Sequence, residues 1–293
     1  MRETPSNQLT DIEKQNLDEI PGSERHFVNI HFFHEASIML DLPIKTAATA
    51  IIYQQRFKKF MASRRKNPVG ESNDHAISVN LALDRDDELL ATTCLHLACK
   101  ATEVVRKIRD VINVCYRLVH QSDSILEIDE YYYRLRTSLT TSELILTRAL
   151  GYNLDVDLPF AFALKVLKGM GCVPIFMEDE NDQRLWHTDI SRNGRSANEG
   201  LPDKQVLQNA ISRYFEEDLD VDLTLVARLT WVYVWDSICY PSIALEYDSY
   251  SIALACIYLA VRSAGASLPM ELFQWVRFWG DAHNVTIQSM KGQ

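Results

Sequence analysis

Residues Asp84–Glu103 read DRDDELLATTCLHLACKATE and decide the fold class. After the acidic start, apolar residues lie on nearly every side of a helical wheel, which is typical of a helix surrounded by other helices. We therefore predict a central helix, called the hub helix here, with Lys100 where it emerges from its neighbours. Small residues within it would let the neighbouring helices approach closely: Ala91, Cys94, Ala98 and Cys99.

A second copy of this pattern occurs later in the chain. Leu90–Lys100, LATTCLHLACK, aligns with Ile252–Arg262, IALACIYLAVR, at an offset of 252 minus 90, or 162 residues. A repeat of this length is typical of a duplicated domain and not of a solenoid of short units. Two hub helices predict two similar helical bundles.

Composition favours a folded protein with protein partners. The 293 residues are 47% hydrophobic, enough for two cores of roughly 100 to 150 residues each. The apolar runs are shorter than the roughly 18 residues a membrane helix needs, so we expect no membrane association and a nuclear or cytoplasmic location. The formal charge of −10 argues against nucleic-acid binding. The six cysteines are scattered, and we predict buried, reduced thiols.

Helical periodicity runs through almost the whole sequence and predicts an all-α fold. Residues 1–22 form a polar lead-in, either one short helix with a Thr10–Glu13 capping box or a solvated tail. We predict a first bundle over 23–157 and a second over 158–293, each of about five helices, with a polar insertion at 171–204. Residues 67–83 are predicted as a loop. The predicted helices are 26–40, 44–61, 84–103, 106–119, 129–150, 159–170, 206–214, 224–239, 249–264 and 270–279.

The helix predicted at 44–61 ends in a cluster of cations: Arg56, Lys58, Lys59, Arg64, Arg65 and Lys66. Cations are favoured at the end of a helix by the helix macrodipole, and this is the simplest interpretation of the cluster. Nuclear import or phosphate binding is the alternative.

Three motifs resemble the cyclin box. They are the helix end at Tyr53–Phe57, DxxLLAxxCLxLAxK at Asp86–Lys100, and SELxLxRxLGYxLxVDLP at Ser142–Pro159. Two boxes in tandem make a cyclin, and the resemblance extends over roughly residues 25–265. Within the family, residues 109–120, 126–167 and 235–265 look most like the cyclin Q branch, which is also called cyclin M.

The resemblance implies that the chain binds and activates a cyclin-dependent protein kinase as the noncatalytic subunit of a heterodimer. In cyclins, a lysine at the end of the third helix and a glutamate in the fifth grip the mobile helix of the kinase. Lys100 and Glu143 occupy these motif positions. Phe27 and Ile30, on the first predicted helix, are further candidate kinase contacts, with burial in the core as the alternative.

The residues give little reason to expect catalysis. His31 and His34 share a helix face near Glu35 but have no convincing further ligand, so we predict no metal site. Phosphate-binding glycine loops and nucleophile elbows are missing from the sequence, so we expect no catalytic residue and no cofactor. Two other classes stay open. One is a cyclin-fold transcription adaptor acting through protein or nucleic-acid contacts, and the other is a structural adaptor without kinase binding.

Overall fold

A computed structural model describes residues 24–66, 80, 82–121, 126–170, 223–266, 268 and 271–280. Within these ranges the fold is all-α, as predicted, and contains no strand. The lead-in at 1–22, the insertion at 171–204 and the predicted helix at 206–214 lie outside the described residues. The helices are α1 Glu24–Met39, α2 Ile44–Lys66, α3 Asp87–Ala101, α4 Ile108–His120, α5 Glu130–Ala149, α6 Pro159–Gly169, α7 Leu223–Cys239, α8 Pro241–Ala244, α9 Ser249–Ser263 and α10 Leu272–Gly280.

The chain divides into two compact units. Residues 1–156 and 239–241 form the first unit, and residues 157–238 and 242–293 form the second. The first unit contains α1–α5, and the second contains α6, α9, α10 and nearly all of α7. None of the helices in the described ranges is long and apolar enough to span a membrane.

The hub helix is α3, and it is enclosed as predicted. Leu90, Ala91 and every residue of 93–99 are buried. The helix packs against α1, α2, α4 and α5. Its small residues are at most 2% exposed, and they allow the close approach that the sequence indicated: Ala91, Cys94, Ala98 and Cys99.

Helix α2 is more deeply buried than its sequence suggests. Every residue of 46–55 is buried, including Gln54 and Gln55 at 8% and 7% exposure. Thr49 on this helix satisfies its hydroxyl locally, since Thr49 Oγ1 donates to the carbonyl of Lys45 at 2.8 Å. Phe60 is half-buried, and its ring centroid lies 4.8 Å from the guanidinium carbon of Arg64. The first unit therefore has a second enclosed helical segment, residues 46–55 of α2, beside α3.

The internal repeat extends to the ends of the two hub helices. Helix α9 spans Ser249–Ser263, and subtracting 162 gives the bounds of α3, 87–101. Each helix begins with a capping aspartate: Asp86 accepts from the N–H of Leu89, and Asp248 accepts from the N–H of Ser251. The separation of the caps is 248 minus 86, again 162. Identical phase at both ends supports duplication of a whole structural unit.

The cation cluster is organised by carboxylates that precede and open the hub helix. Residues 82–85 are helical, so the prediction of a loop up to 83 was wrong at its end, where Leu83 and Asp84 are buried. Arg65 pairs with Asp84, and Lys58 Nζ lies 2.6 Å from Asp87 Oδ1. Side-chain pairing, and not the macrodipole alone, therefore accounts for two of the six cations, Lys58 and Arg65.

Candidate partner-binding site

Lys100 lies in the last turn of the hub helix, at the point where burial ends. Cys99 is 1% exposed, whereas Lys100 is exposed. Thr102 ends the helix. Its N–H donates to the carbonyl of Ala98, and its hydroxyl lies 2.8 Å from that of Thr46 on α2. The end of α3 is thereby fixed to its neighbour, which limits the positions Lys100 can reach.

Glu143 is positioned by α5, which packs on the hub helix. Its neighbours Leu139, Ser142 and Leu146 are 1%, 4% and 0% exposed and turn the inner face of α5 toward the core. Glu143 lies at the border of this face, with its side chain 17% exposed. A carboxylate in such a place keeps one side open to a partner.

The structure brings Lys100 and Glu143 into direct contact. Lys100 Nζ lies 2.6 Å from Glu143 Oε1 and 2.8 Å from Oε2, so one ammonium faces both carboxylate oxygens. The lysine side chain is 46% exposed. An ammonium has three N–H donors, and a carboxylate can accept several hydrogen bonds, so both groups retain capacity for a partner. We call this pair the clasp.

His96 lies beneath the clasp, one turn before Lys100, and was not anticipated from the sequence. Its side chain is 6% exposed, and its Nε2 lies 3.8 Å from Glu143 Oε2. Burial lowers the pKa of His96 below its usual 6.5, the charge of Lys100 lowers it further, and Glu143 opposes both. Among the described atoms, His96 Nδ1 has no hydrogen-bond partner. Near neutral pH the ring is uncharged.

Apolar side chains that follow the clasp residues in sequence are exposed. Val105, in the turn after the hub helix, is 69% exposed, and Leu144, next to Glu143, is 58% exposed. The same turn is joined to the end of α1, because the Nε of Arg106 donates to the carbonyl of Leu40 at 2.8 Å. Near that end, Ile38 and Met39 are 61% and 41% exposed. Charged groups among exposed apolar ones are typical of a protein-binding surface.

The other predicted contacts lie on α1. Ile30 is half-buried, and Phe33, one turn later on the same face, is 1% exposed in the core. Phe27 belongs to α1, but its side chain lies outside the described residues. The structure thus pairs Lys100 with Glu143 and leaves kinase contact by Phe27 or Ile30 as a prediction.

The model of the cyclin N-terminal domain family matches residues 2–155, more than half of the chain, including all of α1–α5. The chain belongs to the cyclin family.

Curated relatives are also cyclins. The chain is 26% identical to human cyclin-L2 over 257 residues, covering 86% of this chain and 36% of that protein. It is 26% identical to chicken cyclin-L1 over 257 residues, covering 86% of this chain and 35% of that one. Cyclin pch1 of Schizosaccharomyces pombe is 27% identical over 186 residues, covering 61% and 47%. The chain thus spans about a third of the length of the cyclin L proteins.

Among solved structures, the chain is similar to a chain of the yeast RNA Pol II CTD kinase CTDK-1 complex. The TM-score is 0.55 at 15% identity, over 96% of this chain and 64% of that chain. At this identity, the likeness supports the fold alone.

Proposed function

We propose that this cyclin is the noncatalytic subunit of a heterodimer with a cyclin-dependent protein kinase, and that the clasp docks the mobile helix of the kinase. The observation that carries the proposal is the contact between Lys100 and Glu143, 43 residues apart in sequence, at 2.6 and 2.8 Å. The proposal includes a cognate kinase with its own substrates. It also includes membership of the cyclin Q branch and action in the nucleus or cytoplasm.

The clasp suits the end of a helix. The last carbonyls of a helix lack internal partners and carry partial negative charge, so they accept from an ammonium. Lys100 donates to such carbonyls, while Glu143 accepts from nearby backbone N–H groups and holds the lysine in place. The exposed Val105 and Leu144 supply apolar contact around this polar centre.

Activation follows from holding that helix inward. A protein kinase needs an ion pair between its nucleotide-binding lysine and a glutamate of the mobile helix. A rigid bundle that binds only the inward position shifts the population toward it. The anchoring of Thr102 to Thr46 gives the clasp such a rigid base. No group of this chain takes part in the chemistry.

The proposal is tested with the purified chain and a panel of cyclin-dependent kinases, measuring affinity and phosphorylation rate with and without the chain. Lys100→Ala or Glu143→Ala should weaken association with the cognate kinase by about 2 to 5 kcal/mol, because each leaves the other charge unpaired in the interface. Lys165→Ala, at an exposed lysine of α6, is the control and should bind normally. Normal affinity in both clasp variants would reject this role.

Exchanging the two charges separates docking from stability. The double variant Lys100→Glu with Glu143→Lys keeps an ion pair, so its free energy of unfolding should differ from that of the wild type by about 1 kcal/mol or less. The partner then meets a negative charge where the wild type has a positive one, and the reverse, so kinase binding should be lost. A charge-exchanged protein that still activates the kinase would show that the pair is only structural.

A nucleic-acid-binding adaptor is the second candidate, and the charges oppose it. The formal charge is −10, and within the cation cluster Lys58 and Arg65 are paired with Asp87 and Asp84. Nucleic-acid affinity comes from cations that neutralise phosphates and so release the counterions of the nucleic acid, and cations already paired with carboxylates contribute less. Salt-sensitive copurification of nucleic acid, in place of a kinase, would favour the adaptor.

A further inference from the structure

A cavity of about 260 Å³ opens between α3, α4 and α5 of the first unit, away from the clasp. Its floor is apolar and includes Leu89, Ile112, Leu135 and Leu139. Small-molecule sites usually have volumes of roughly 300 to 1,000 Å³, so this cavity suits one or two side chains better than a cofactor.

Aromatic rings form one side of the cavity. Tyr116 and Tyr131 lie with their centroids 6.1 Å apart and their planes at 70°, as two adjoining walls. His120 stacks on Tyr116 at 4.0 Å, and its Nδ1 lies 3.1 Å from the carbonyl of that residue. The position of the His120 ring, which completes this side of the cavity, is therefore fixed by two contacts with Tyr116.

The charged groups at the cavity are carboxylates. Asp86 and Glu88 are both exposed at its edge, and the described residues lining it include no lysine or arginine. Asp86 uses Oδ1 to cap the hub helix, which orients its carboxylate. The faces of the tyrosine rings also attract cations, so rings and carboxylates favour the same sign of charge.

From this arrangement we infer that the cavity binds a lysine or arginine side chain of a partner polypeptide. The methylene stem lies on the apolar floor, while the cation meets Glu88 and the tyrosine rings. A polypeptide is favoured over a free amine because apolar surface continues beyond the cavity: Ile128 and Tyr131 are 51% and 38% exposed. This site is independent of the proposed kinase binding, since it uses neither Lys100 nor Glu143.

Distance along the hub helix separates the two sites. Glu88 and Lys100 are 12 residues apart on α3, which is about 18 Å at 1.5 Å per residue. Tyr131 and Glu143 have the same separation on α5. A basic segment can therefore occupy the cavity while the clasp is engaged, as a substrate or regulator of the assembled protein would require.

The probe for this inference is a synthetic heptapeptide of glycine and serine with a central arginine between two leucines. Its matched control carries citrulline, which keeps the shape of arginine without its charge. Methyl NMR spectra of the full chain are recorded during titration with each peptide. The arginine peptide should shift the methyl signals of Leu89, Val119 and Leu135 saturably, with a dissociation constant on the order of 1 mM or tighter. The citrulline peptide should bind at least about fivefold more weakly.

Variants assign the binding to the cavity. Glu88→Gln and Tyr131→Leu should each weaken the arginine peptide by about three- to tenfold, because each removes one attraction for the cation. Glu246→Gln, at an exposed glutamate of the second unit, should bind as wild type does. Equal binding of the two peptides, shifts confined to other methyl groups, no saturable shift, or unchanged affinity in both cavity variants would each overturn the inference.

Discussion

His96 is a buried ionisable side chain beneath the clasp, and its burial makes the stability of the protein depend on pH. Its folded-state pKa is lowered, chiefly by burial and then by Lys100, so the unfolded chain takes up the proton more readily. Stability should therefore fall as the pH drops below about 6.5 and level off below the lowered folded pKa. His96→Phe should remove this part of the pH dependence.

Urea unfolding of both proteins between neutral and mildly acidic pH provides the measurement. The wild type should lose more stability on acidification than His96→Phe. Parallel losses in the two proteins would show that His96 does not titrate as its surroundings indicate.

Buried thiols make a second prediction at the scale of single residues. Burial raises the pKa of Cys115 and of Cys256 to about 12, and that of Cys99 to about 11. A thiol with a pKa of 12 has about one thiolate in ten thousand at pH 8, and the thiolate is the reactive form. Iodoacetamide should therefore leave these cysteines unmodified in the folded protein.

Mass spectrometry of the native and the guanidinium-unfolded protein checks this expectation. Full labelling should occur only after unfolding. Rapid labelling of Cys99 or Cys256 in the native protein would contradict their positions inside the hub helices.

Single residues also show which parts of the candidate site could be predicted from the sequence. The pairing of Lys100 with Glu143 was predictable only through the cyclin resemblance, since residues 43 apart carry no spacing rule. The places of His96, Val105 and Leu144 were missed. Val105 and Leu144 are apolar residues whose exposure depends on where neighbouring helices end, and composition does not record this.

At the scale of helices, the capping aspartates give matched tests in the two units. Asp86→Ala and Asp248→Ala should each cost about 1 kcal/mol of stability, because the N–H groups of Leu89 and Ser251 lose their acceptors. Asp86→Asn and Asp248→Asn keep an acceptor and should stay close to wild type.

Denaturant unfolding of all four variants measures the difference. An alanine variant as stable as its asparagine counterpart would mean that water replaces the cap without cost. Equal losses in the two alanine variants would support equivalent roles for the caps of α3 and α9.

Two helix starts were predicted well where a cap or a proline marks them. The starts of α5 and α6 were predicted to within one residue, at 129 and 159, where Asp129 caps the first and Pro159 opens the second. The start of α3 was predicted at 84, three residues before Asp87, because the capping role of Asp86 was not recognised. The burial of α2 could not be predicted from the sequence. Gln54 and Gln55 have the composition of a solvated face, and only packing against neighbouring helices shows that they are enclosed.

At the scale of the whole molecule, matched core truncations test each unit separately. Leu95 on α3 and Ile257 on α9 are equivalent in the repeat, and both are 0% exposed. Leu95→Ala and Ile257→Ala should each cost about 2 to 5 kcal/mol through lost burial and the cavity left behind. Hydrogen exchange should quicken chiefly in the unit that carries the change.

Peptide-resolved exchange by mass spectrometry provides the measurement, with Leu259→Ala as the control, because Leu259 is 52% exposed on the same helix. Equal acceleration in both units would mean that they unfold as one. The duplication itself was predictable from eleven aligned residues, since a buried helix tolerates few residue types at each position.

Because α3 and α5 run parallel, the first unit holds the clasp and the cavity at a fixed separation. The cavity lies at the start of both helices, and the clasp lies 12 residues further along each, about 18 Å along the axis. A fully extended chain advances roughly 3.3 to 3.6 Å per residue, so a tether joining occupants of both sites needs at least about five residues. Shorter tethers cannot bridge the sites, and moderately longer ones gain avidity from a high local concentration. Motif spacing, rather than motif strength alone, would then select which bound proteins are retained.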